Sequence, residues 1–253
     1  MSERSERTME PSERSERTME PSERSERTME PTGHRRPVSP ARVDAAREAR
    51  ALAHGVVASD ADDATFARVE ALVAEANALL TAAPHLPRPV FDPVHLGRMR
   101  DEADLNGIDA MADRAVAGPA NPTSVDIRSR LVADGVEAEV TFGPAFEGAP
   151  GRVHGGMVAA VFDDLLGGAM AQTQAIGFTG RLTVHYRAPV PIETLVRFRL
   201  STGAREGRKL HVHGDARIGD RVLASADALM ILVDLEHFKT TARELLERSA
   251  TGE

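Results

Sequence analysis

The spacing of hydrophobic residues changes along the chain, from a helical period to a strand period near residue 124. Between residues 41 and 83, apolar side chains recur three to four positions apart after a polar start at 60–65. These positions are Phe66, Val69, Val73, Ala76 and Leu80. Because this spacing places them on one helix face, the pattern predicts helical structure across the region.

From about residue 124 onward the pattern predicts strands. Between 181 and 187, Leu182, Val184 and Tyr186 alternate with polar residues, as in a strand with one face turned to a core. Further strands are predicted at 136–142, 195–200, 209–217 and 222–233. The links between the later strands are short and polar, which favours antiparallel neighbours, because a parallel pair needs a long crossover.

An apolar helix is predicted at 155–174, between the first of these strands and the rest. One long helix with a run of antiparallel strands predicts an α+β fold in which the sheet wraps around the helix. A proline-rich stretch at 84–122 has the pattern of an accessory segment with a short helix near 96–116. A polar helix is predicted at 236–248.

The N-terminal part of the chain has a different texture. Residues 2–31 are three copies of Ser-Glu-Arg-Ser-Glu-Arg-Thr-Met-Glu-Pro, which lack an apolar period and predict disorder. We therefore expect four parts: a disordered repeat and linker at 1–40, a helical accessory segment at 41–120, the α+β domain at 121–235, and a C-terminal helix and tail at 236–253.

Composition removes several classes of function. The 253 residues carry 31 basic and 39 acidic side chains, for a net charge of −8, with one Tyr and no Trp, which argues against a nucleic-acid binder. There is no Cys, so disulfides, thiolate metal sites and a Cys nucleophile are excluded. No apolar run approaches the roughly 20 residues that span a bilayer, and the polar start does not fit a secretory signal. We therefore expect no membrane association and a cytoplasmic location.

Candidate chemistry is concentrated where a Gly/Pro-rich loop opens the apolar helix. Residues 147–156 read Glu-Gly-Ala-Pro-Gly-Arg-Val-His-Gly-Gly, and Asp163 follows inside the helix. Two glycines at a helix start leave backbone N–H groups open to an approaching oxygen, and the helix dipole favours negative charge there. An acid in an otherwise apolar helix is costly to bury. The pattern indicates a carbonyl-polarising site paired with a base or nucleophile.

The two parts of this site lie too far apart on one helix to act on the same carbonyl group. Gly155 and Asp163 are eight residues apart, which corresponds to about 12 Å at 1.5 Å rise per residue. Two helices packed antiparallel about a two-fold axis would bring Gly155 of one copy beside Asp163 of the other. The spacing therefore predicts a homo-oligomer with sites shared between copies.

The motifs together resemble the PaaI-like group of hotdog-fold acyl-CoA thioesterases over roughly 121–235. The resemblance rests on the 147–156 run, on Asp163 nine residues after His154, and on Thr179 followed by Tyr-Arg-Ala-Pro-Val-Pro at 186–191. It implies a hotdog fold, a dimer or tetramer, and hydrolysis of a fatty or aromatic acyl-CoA to a free acid and CoA. His-Gly-Gly alone would be a weak signal, but the combined spacing is fairly specific.

The resemblance also implies roles for single residues. Asp163 matches the carboxylate that acts as general base or nucleophile, and Gly155 matches the residue whose N–H polarises the thioester carbonyl. Thr179 matches the hydroxyl that positions water, and His154 matches the motif histidine, an organiser of the loop. The chain departs from the pattern at Gly148, where many members carry an Asn.

Binding of the CoA moiety is expected to involve basic side chains of the strand region, because Arg binds phosphate groups in a forked geometry. The candidate binding residues are Gly156, Arg187, Arg205, Arg208 and Lys209. Each of the four cations in this list, taken alone, is also typical of a solvent-exposed residue on the outer face of the sheet. His211 and His213 share a strand face, but two ligands without a third are a weak metal signal, so we expect no metal and no cofactor.

Two other functions fit the same motifs. A hotdog dehydratase or hydratase would act on acyl thioesters, but its chemistry needs a His general base aimed at the α-carbon. A non-catalytic acyl-CoA-binding module would use the same cleft without hydrolysis.

Overall fold

The computed structural model describes residues 38–84, 112–170, 173 and 176–233. The chain divides into the units Met1–His34 and Arg35–Glu253, and all described residues belong to the second. The repeat at 2–31 and the helix predicted at 236–248 lie outside the described residues, as does most of the helix predicted near 96–116.

The predicted N-terminal helical region consists of two helices. Helix α1 spans Pro40–Ala58 and helix α2 spans Asp63–Thr81. The Ser39 hydroxyl accepts from the N–H of Arg42, and the Asp62 carboxylate accepts from the N–H of Thr65, so both helices begin at a side-chain cap. Helix α3, at Gly155–Met170, is the apolar helix that the sequence predicts.

Six strands form one antiparallel sheet. They are β1 at Asp126–Val132, β2 at Gly135–Thr141, β3 at Ile176–Tyr186, β4 at Leu195–Glu206, β5 at Lys209–Ile218 and β6 at Arg221–Val233. The strand order is β1-β2-β4-β5-β6-β3, so β3 lies at an edge. The antiparallel pairing agrees with the sequence-based expectation, but β1 was not recognised as a separate strand, and β3 begins five residues before its predicted start.

The core lies between α3 and one face of the sheet. Buried positions on α3 recur at three- and four-residue spacing, and they meet buried residues of the central strands. The rings of Phe162 on α3 and Phe198 on β4 meet edge-on with centroids 5.0 Å apart. Burying one such side chain stabilises the fold by about 1.5–3 kcal/mol. The structure therefore confirms the α+β prediction of a sheet packed on one central helix.

The opposite face of the sheet is an ion-paired surface. Arg199 on β4 contacts Glu137 on β2 and Asp134 in the β1–β2 turn, and Arg197 contacts Glu139. These pairs connect neighbouring strands in register. Surface pairs of this kind add little stability, but they neutralise most of the arginines on this part of the sheet.

Helix α1 docks on a short 3₁₀ turn at Pro144–Phe146 through His54. The N–H of Ala145 donates to Nδ1 of His54 at 3.1 Å, and the Phe146 ring meets the His54 ring edge-on at 5.2 Å. Gly143 approaches so closely that a Cβ there would lie 2.6 Å from the imidazole. Burial lowers the pKa of His54, and the Arg50 guanidinium lowers it further.

The lowered pKa of His54 predicts that stability depends on pH. The folded state binds a proton at His54 more weakly than the unfolded state, so the stabilising contribution is complete above about pH 6.5 and is lost as the pH falls through the folded-state pKa. In His54→Asn, the amide oxygen keeps an acceptor near Nδ1 and does not titrate. We expect the free energy of unfolding to fall less between pH 8 and pH 5 in this variant than in the wild type.

Urea denaturation at the two pH values measures this difference. The same decrease in both proteins would contradict the assignment of the titration to His54.

Candidate active site

The loop before α3 is held by its own hydrogen bonds. The Glu147 carboxylate accepts from the N–H of Gly151, and the N–H of Gly148 donates to the carbonyl of Arg152 at 2.9 Å. Gly151 has a φ of 74°, a left-handed conformation that favours glycine. The N–H of Val153 donates to the carbonyl of Val190, which joins this loop to the loop after β3. The start of α3 is therefore fixed from both sides.

His154 caps α3. Its own N–H donates to the carbonyl of Phe146 at 2.8 Å, and its Nδ1 accepts from the N–H of Gly156 at 3.0 Å. An Nδ1 that accepts a hydrogen bond carries no proton, so the neutral ring has its proton on Nε2. The contacts are those of a residue that organises the loop and the helix start.

Gly155 presents an open N–H at the first position of the helix. No acceptor among the described residues takes this N–H, whereas the Gly155 carbonyl accepts from the Tyr186 hydroxyl at 2.7 Å. A Cβ at position 155 would lie 3.3 Å from the Tyr186 ring and hydroxyl. Glycine therefore lets the ring lie against the helix start. The N–H and the helix dipole are available to an incoming carbonyl oxygen.

Tyr186 is a site residue that sequence reasoning did not assign. The alternation at 181–187 places it on the same face as Leu182 and Val184, and those two residues are partly buried against the core. This alternation was the available signal, because it directs the ring toward α3. The spacing alone does not indicate that the hydroxyl reaches the first turn.

Close packing around Gly148 explains why this chain has no Asn at that position. A Cβ at this position would lie 2.9 Å from Cα of His154 and 3.3 Å from its imidazole Cδ2. Since Cβ atoms essentially never approach other atoms so closely, no side chain fits at 148 in this loop conformation. The His154 ring contacts the position from which an Asn side chain would start.

Asp163 and Thr179 come together from α3 and β3. The Thr179 hydroxyl donates to Oδ1 of Asp163 at 2.9 Å, and both residues are exposed. Thr179 lies just before an irregularity in the pairing of β3 with β6, between Thr179 and Arg181. The hydrogen bond orients the carboxylate, and Oδ2 is left to face solvent or a ligand.

Asp164 has a different environment from its neighbour. Its carboxylate pairs with the Arg114 guanidinium at 3.2 Å, and only 10% of the side chain is exposed. Burial raises the pKa of Asp164, the Arg114 charge lowers it, and the Asp163 charge raises it again. Adjacent helix residues point about 100° apart, so Asp164 faces the interior while Asp163 faces Thr179.

Within one chain the candidate site residues lie in two groups. Gly155, Gly156, His154 and Tyr186 lie together at the start of α3, which we call the donor half. Asp163 and Thr179 form the acid half. Eight residues of helix, about 12 Å, separate the two halves along α3.

The predicted CoA-binding cations are divided between two regions. Arg187 lines a cleft of about 600 Å³ together with Arg152, His154, Gly155 and Tyr186. The other three cations lie at or beside the turn between β4 and β5, level with the start of β3 rather than with its Tyr186 end. There Arg205 donates to the carbonyl of Gly207, Arg208 donates to the carbonyl of Leu232, and Lys209 is exposed.

The described part of the chain holds no group of three or more His, Cys, Asp or Glu side chains placed to bind a metal ion. His213 instead pairs with Asp227 at 2.6 Å on the outer face of the sheet. None of the described helices is long and apolar enough to cross a membrane.

Known thioesterases resemble this chain in sequence and in structure. No protein-family model matches the chain. The chain is similar to the acyl-coenzyme A thioesterase THEM4 of Bos taurus, with 29% identity over 99 residues, covering 39% of this chain and 40% of that protein. THEM4 of Mus musculus is 34% identical over 92 residues, covering 36% and 40%. The matches thus span about two-fifths of the length of these curated relatives.

One solved structure covers most of the chain. The crystal structure of protein RHA08564, a thioesterase superfamily protein, is similar with a TM-score of 0.64 and 28% identity, over 77% of this chain and 97% of that one. The match therefore extends well beyond the sheet and α3. With the fold, the loop before α3 and the THEM4 similarity, it supports a hotdog-fold thioesterase family for the chain.

Proposed function

We propose that the protein is an acyl-CoA thioesterase that hydrolyses a fatty or aromatic acyl-CoA to the free acid and CoA. The observation that carries the proposal is the hydrogen bond from Thr179 to an exposed Asp163, on the same helix whose first turn presents the open Gly155 N–H. The similarity to THEM4 thioesterases supports an acyl-CoA substrate.

The two half-sites supply complementary parts of the reaction. The Gly155 N–H donates to the thioester oxygen as negative charge develops on it, a contribution of about 3–4 kcal/mol for a well-aimed donor. Asp163 takes a proton from water as the water oxygen attacks the carbonyl carbon, or attacks that carbon itself. When the intermediate collapses, the C–S bond breaks and the CoA thiolate leaves and takes up a proton. If Asp163 is the nucleophile, this step leaves an anhydride between the acyl group and Asp163, which water then hydrolyses to the free acid and the Asp163 carboxylate. Thr179 orients Asp163 and can accept from the attacking water.

A two-fold arrangement of two chains brings the halves together. Strand β3 is at the sheet edge, and an uncovered edge strand offers unpaired backbone groups to another chain. Phe178 and Tyr186 on this strand are 55% and 54% exposed in the single chain. Antiparallel pairing of two β3 strands would align two α3 helices antiparallel and place Gly155 near the Asp163 of a second copy. The arrangement is the same in a dimer or within a tetramer.

The cleft at the donor half fits the anionic part of CoA. No carboxylate among the described residues pairs with Arg152 or Arg187, while the arginines at 197 and 199 on the outer face are ion-paired. Arg187 donates to the Ser225 hydroxyl at 3.3 Å. Unneutralised guanidinium groups beside a helix N-terminus favour phosphate oxygens. We therefore assign Arg152 and Arg187 to CoA, with Arg205, Arg208 and Lys209 as a second basic region.

The geometry favours hydrolysis over the two alternatives. A dehydratase or hydratase needs a free imidazole base, but Nδ1 of His154 accepts from the helix N–H of Gly156. A pure binding module has no need of a carboxylate oriented by a hydroxyl at an exposed surface.

Removal of the Asp163 charge is expected to abolish most of the activity. Asp163→Asn keeps the size of the side chain but removes the base or nucleophile, and we expect kcat to fall by about 10²–10⁴-fold. Thr179→Val is expected to cost about tenfold or more, and Thr179→Ser to restore activity, because a hydrogen bond to a charged group contributes about 1.5–3 kcal/mol. Thiol release from acyl-CoAs of different chain lengths measures these effects.

Asp44→Asn is the matched control, since Asp44 is an exposed acid on α1 that pairs with Arg47. Unchanged thiol release in Asp163→Asn would remove Asp163 from the mechanism. No release by the wild type from any acyl-CoA would favour the binding module.

Mixing two inactive variants tests whether the site is shared between chains. Gly155→Pro removes the proposed N–H donor at a helix position that tolerates proline. When this variant is refolded with an equal amount of Asp163→Asn, half of the dimers contain one copy of each variant. One of the two sites in each mixed dimer is intact, so we expect activity to recover toward one quarter of the wild-type value. Recovery is measured by thiol release, with each variant refolded alone as the control. A mixture that stays inactive although mixed dimers form would place both halves of each site in one chain.

Shortening the substrate tests the role of the arginines. In Arg152→Gln and Arg187→Gln, we expect KM for acyl-CoA to rise about tenfold with little change in kcat, because a charge-assisted phosphate contact is lost. With the acyl thioester of N-acetylcysteamine, which has no phosphate, the variants should match the wild type. Arg128→Gln, on an exposed position of β1, is the control. An equal loss with both substrates would contradict phosphate recognition.

A further inference from the structure

The stretch of chain before β1 reaches the acid half through one side chain. Arg114 pairs with Asp164 at 3.2 Å, with 18% of the Arg114 side chain and 10% of the Asp164 side chain exposed. Asp164 is the next residue after Asp163, which accepts the hydrogen bond from Thr179. A residue outside the sheet and α3 therefore sets the charge immediately beside the acid half.

The backbone around Arg114 is rigidly held. The N–H of Gly118 donates to the carbonyl of Arg114 at 3.1 Å, and a Cβ at 118 would lie 2.3 Å from the Arg114 nitrogen. The Asn121 side chain donates to the carbonyl of Asp113, and Arg50 of α1 donates to the carbonyl of Asn121 at 2.7 Å. The guanidinium is therefore delivered from a fixed turn that is also attached to α1.

The charges at this point oppose one another. Burial raises the pKa of Asp164, Arg114 lowers it and Asp163 raises it. Within the described residues these are the charged groups that act on Asp164, one from the 112–125 stretch and one from α3 itself, while β3 contributes the uncharged hydroxyl of Thr179. Two neighbouring carboxylates resist being ionised together unless a cation lies beside them.

We propose that Arg114 is a positioning residue for Asp163 that acts through Asp164. The Arg114–Asp164 pair forms a neutral unit, which leaves Asp163 next to no uncompensated charge and bonded to Thr179. This inference rests on the proposed role of Asp163 in thioester hydrolysis. It gives the accessory part of the chain a function in the site, because the ionisation of Asp163 then depends on a residue from that part.

Removing only the carboxylate of the Arg114–Asp164 pair tests the proposal. Asp164→Asn leaves the Arg114 cation in place without its partner, beside the residue that follows Asp163. We expect the acidic limb of the pH profile of kcat/KM to move down by about one pH unit, as for a carboxylate beside an arginine. The double variant Asp164→Asn with Arg114→Met also lacks the cation. The acidic limb of its kcat/KM profile should return to within about 0.3 pH unit of the wild-type position. Arg114→Lys keeps the charge and should leave the limb in place.

Carboxyl-carbon NMR titration of Asp163 follows the same ionisation without any substrate. A purely structural role would change stability but would leave this titration midpoint unmoved. Thermal unfolding of each variant checks the fold, and Asp164→Ala makes the same charge change if the Asn variant does not fold. The proposal is overturned if Asp164→Asn titrates like the wild type, or if the double variant stays as displaced as the single one. Absence of thioester hydrolysis in the wild type would contradict the proposed function. The NMR titration midpoints would still show whether the Arg114–Asp164 pair controls the ionisation of Asp163.

Discussion

Burial of one face of α3 against the sheet is the constraint on which the rest of the structure depends. Val158, Phe162 and Leu165 are fully or almost fully buried at helical spacing. Their burial fixes the rotation of the helix about its axis, because the apolar stripe has one way to face the core. The same rotation turns Asp163 outward toward Thr179 and brings the Gly155 carbonyl to the Tyr186 hydroxyl. Packing energy, rather than any contact within the site, thus places the polar groups.

The accessory part of the chain touches both half-sites. On one side His54 of α1 supports the 3₁₀ turn, and the last carbonyl of that turn holds the N–H of His154. On the other side Arg114 neutralises the acid next to Asp163. The two contacts are made by side chains far apart in sequence. The Arg114 contact ends one residue from Asp163, and the His54 contact leads through the 3₁₀ turn to His154, one residue before Gly155. The accessory segment therefore acts as a support for a site whose groups all belong to the α+β domain.

The sequence predicted the parts of the fold that depend on local periodicity. The helical period of α2 and the alternation in the second half of β3 are periodic signals, and the structure confirms the helix and the strand, although no residue of α2 is buried. Strand β1 was not separated from its neighbours, because the polar Ser129 occupies the buried position between Ile127 and Leu131 and interrupts the hydrophobic alternation. The motif around His154 and the acid inside the apolar helix indicated Gly155 and Asp163, whereas Thr179 was assigned only through a family resemblance.

Contacts between distant segments account for what was missed. Nothing in the spacing of Arg114 indicates that it reaches α3, since its position is set by a hydrogen-bonded turn that is attached to Arg50 of α1. The Tyr186 hydroxyl and the His54 acceptor are also contacts across the fold. Local pattern predicts which face a side chain occupies, but it does not predict which polar atom it meets.

The close contact between Gly148 and His154 constrains how this loop can change during evolution. A Cβ at 148 would press on the backbone of the residue that caps α3, so any single substitution there would displace His154 and the helix start together. A descendant that acquires a side chain at this position must first, or at the same time, acquire a different course for residues 148–154. The glycine is thus coupled to its loop by epistasis.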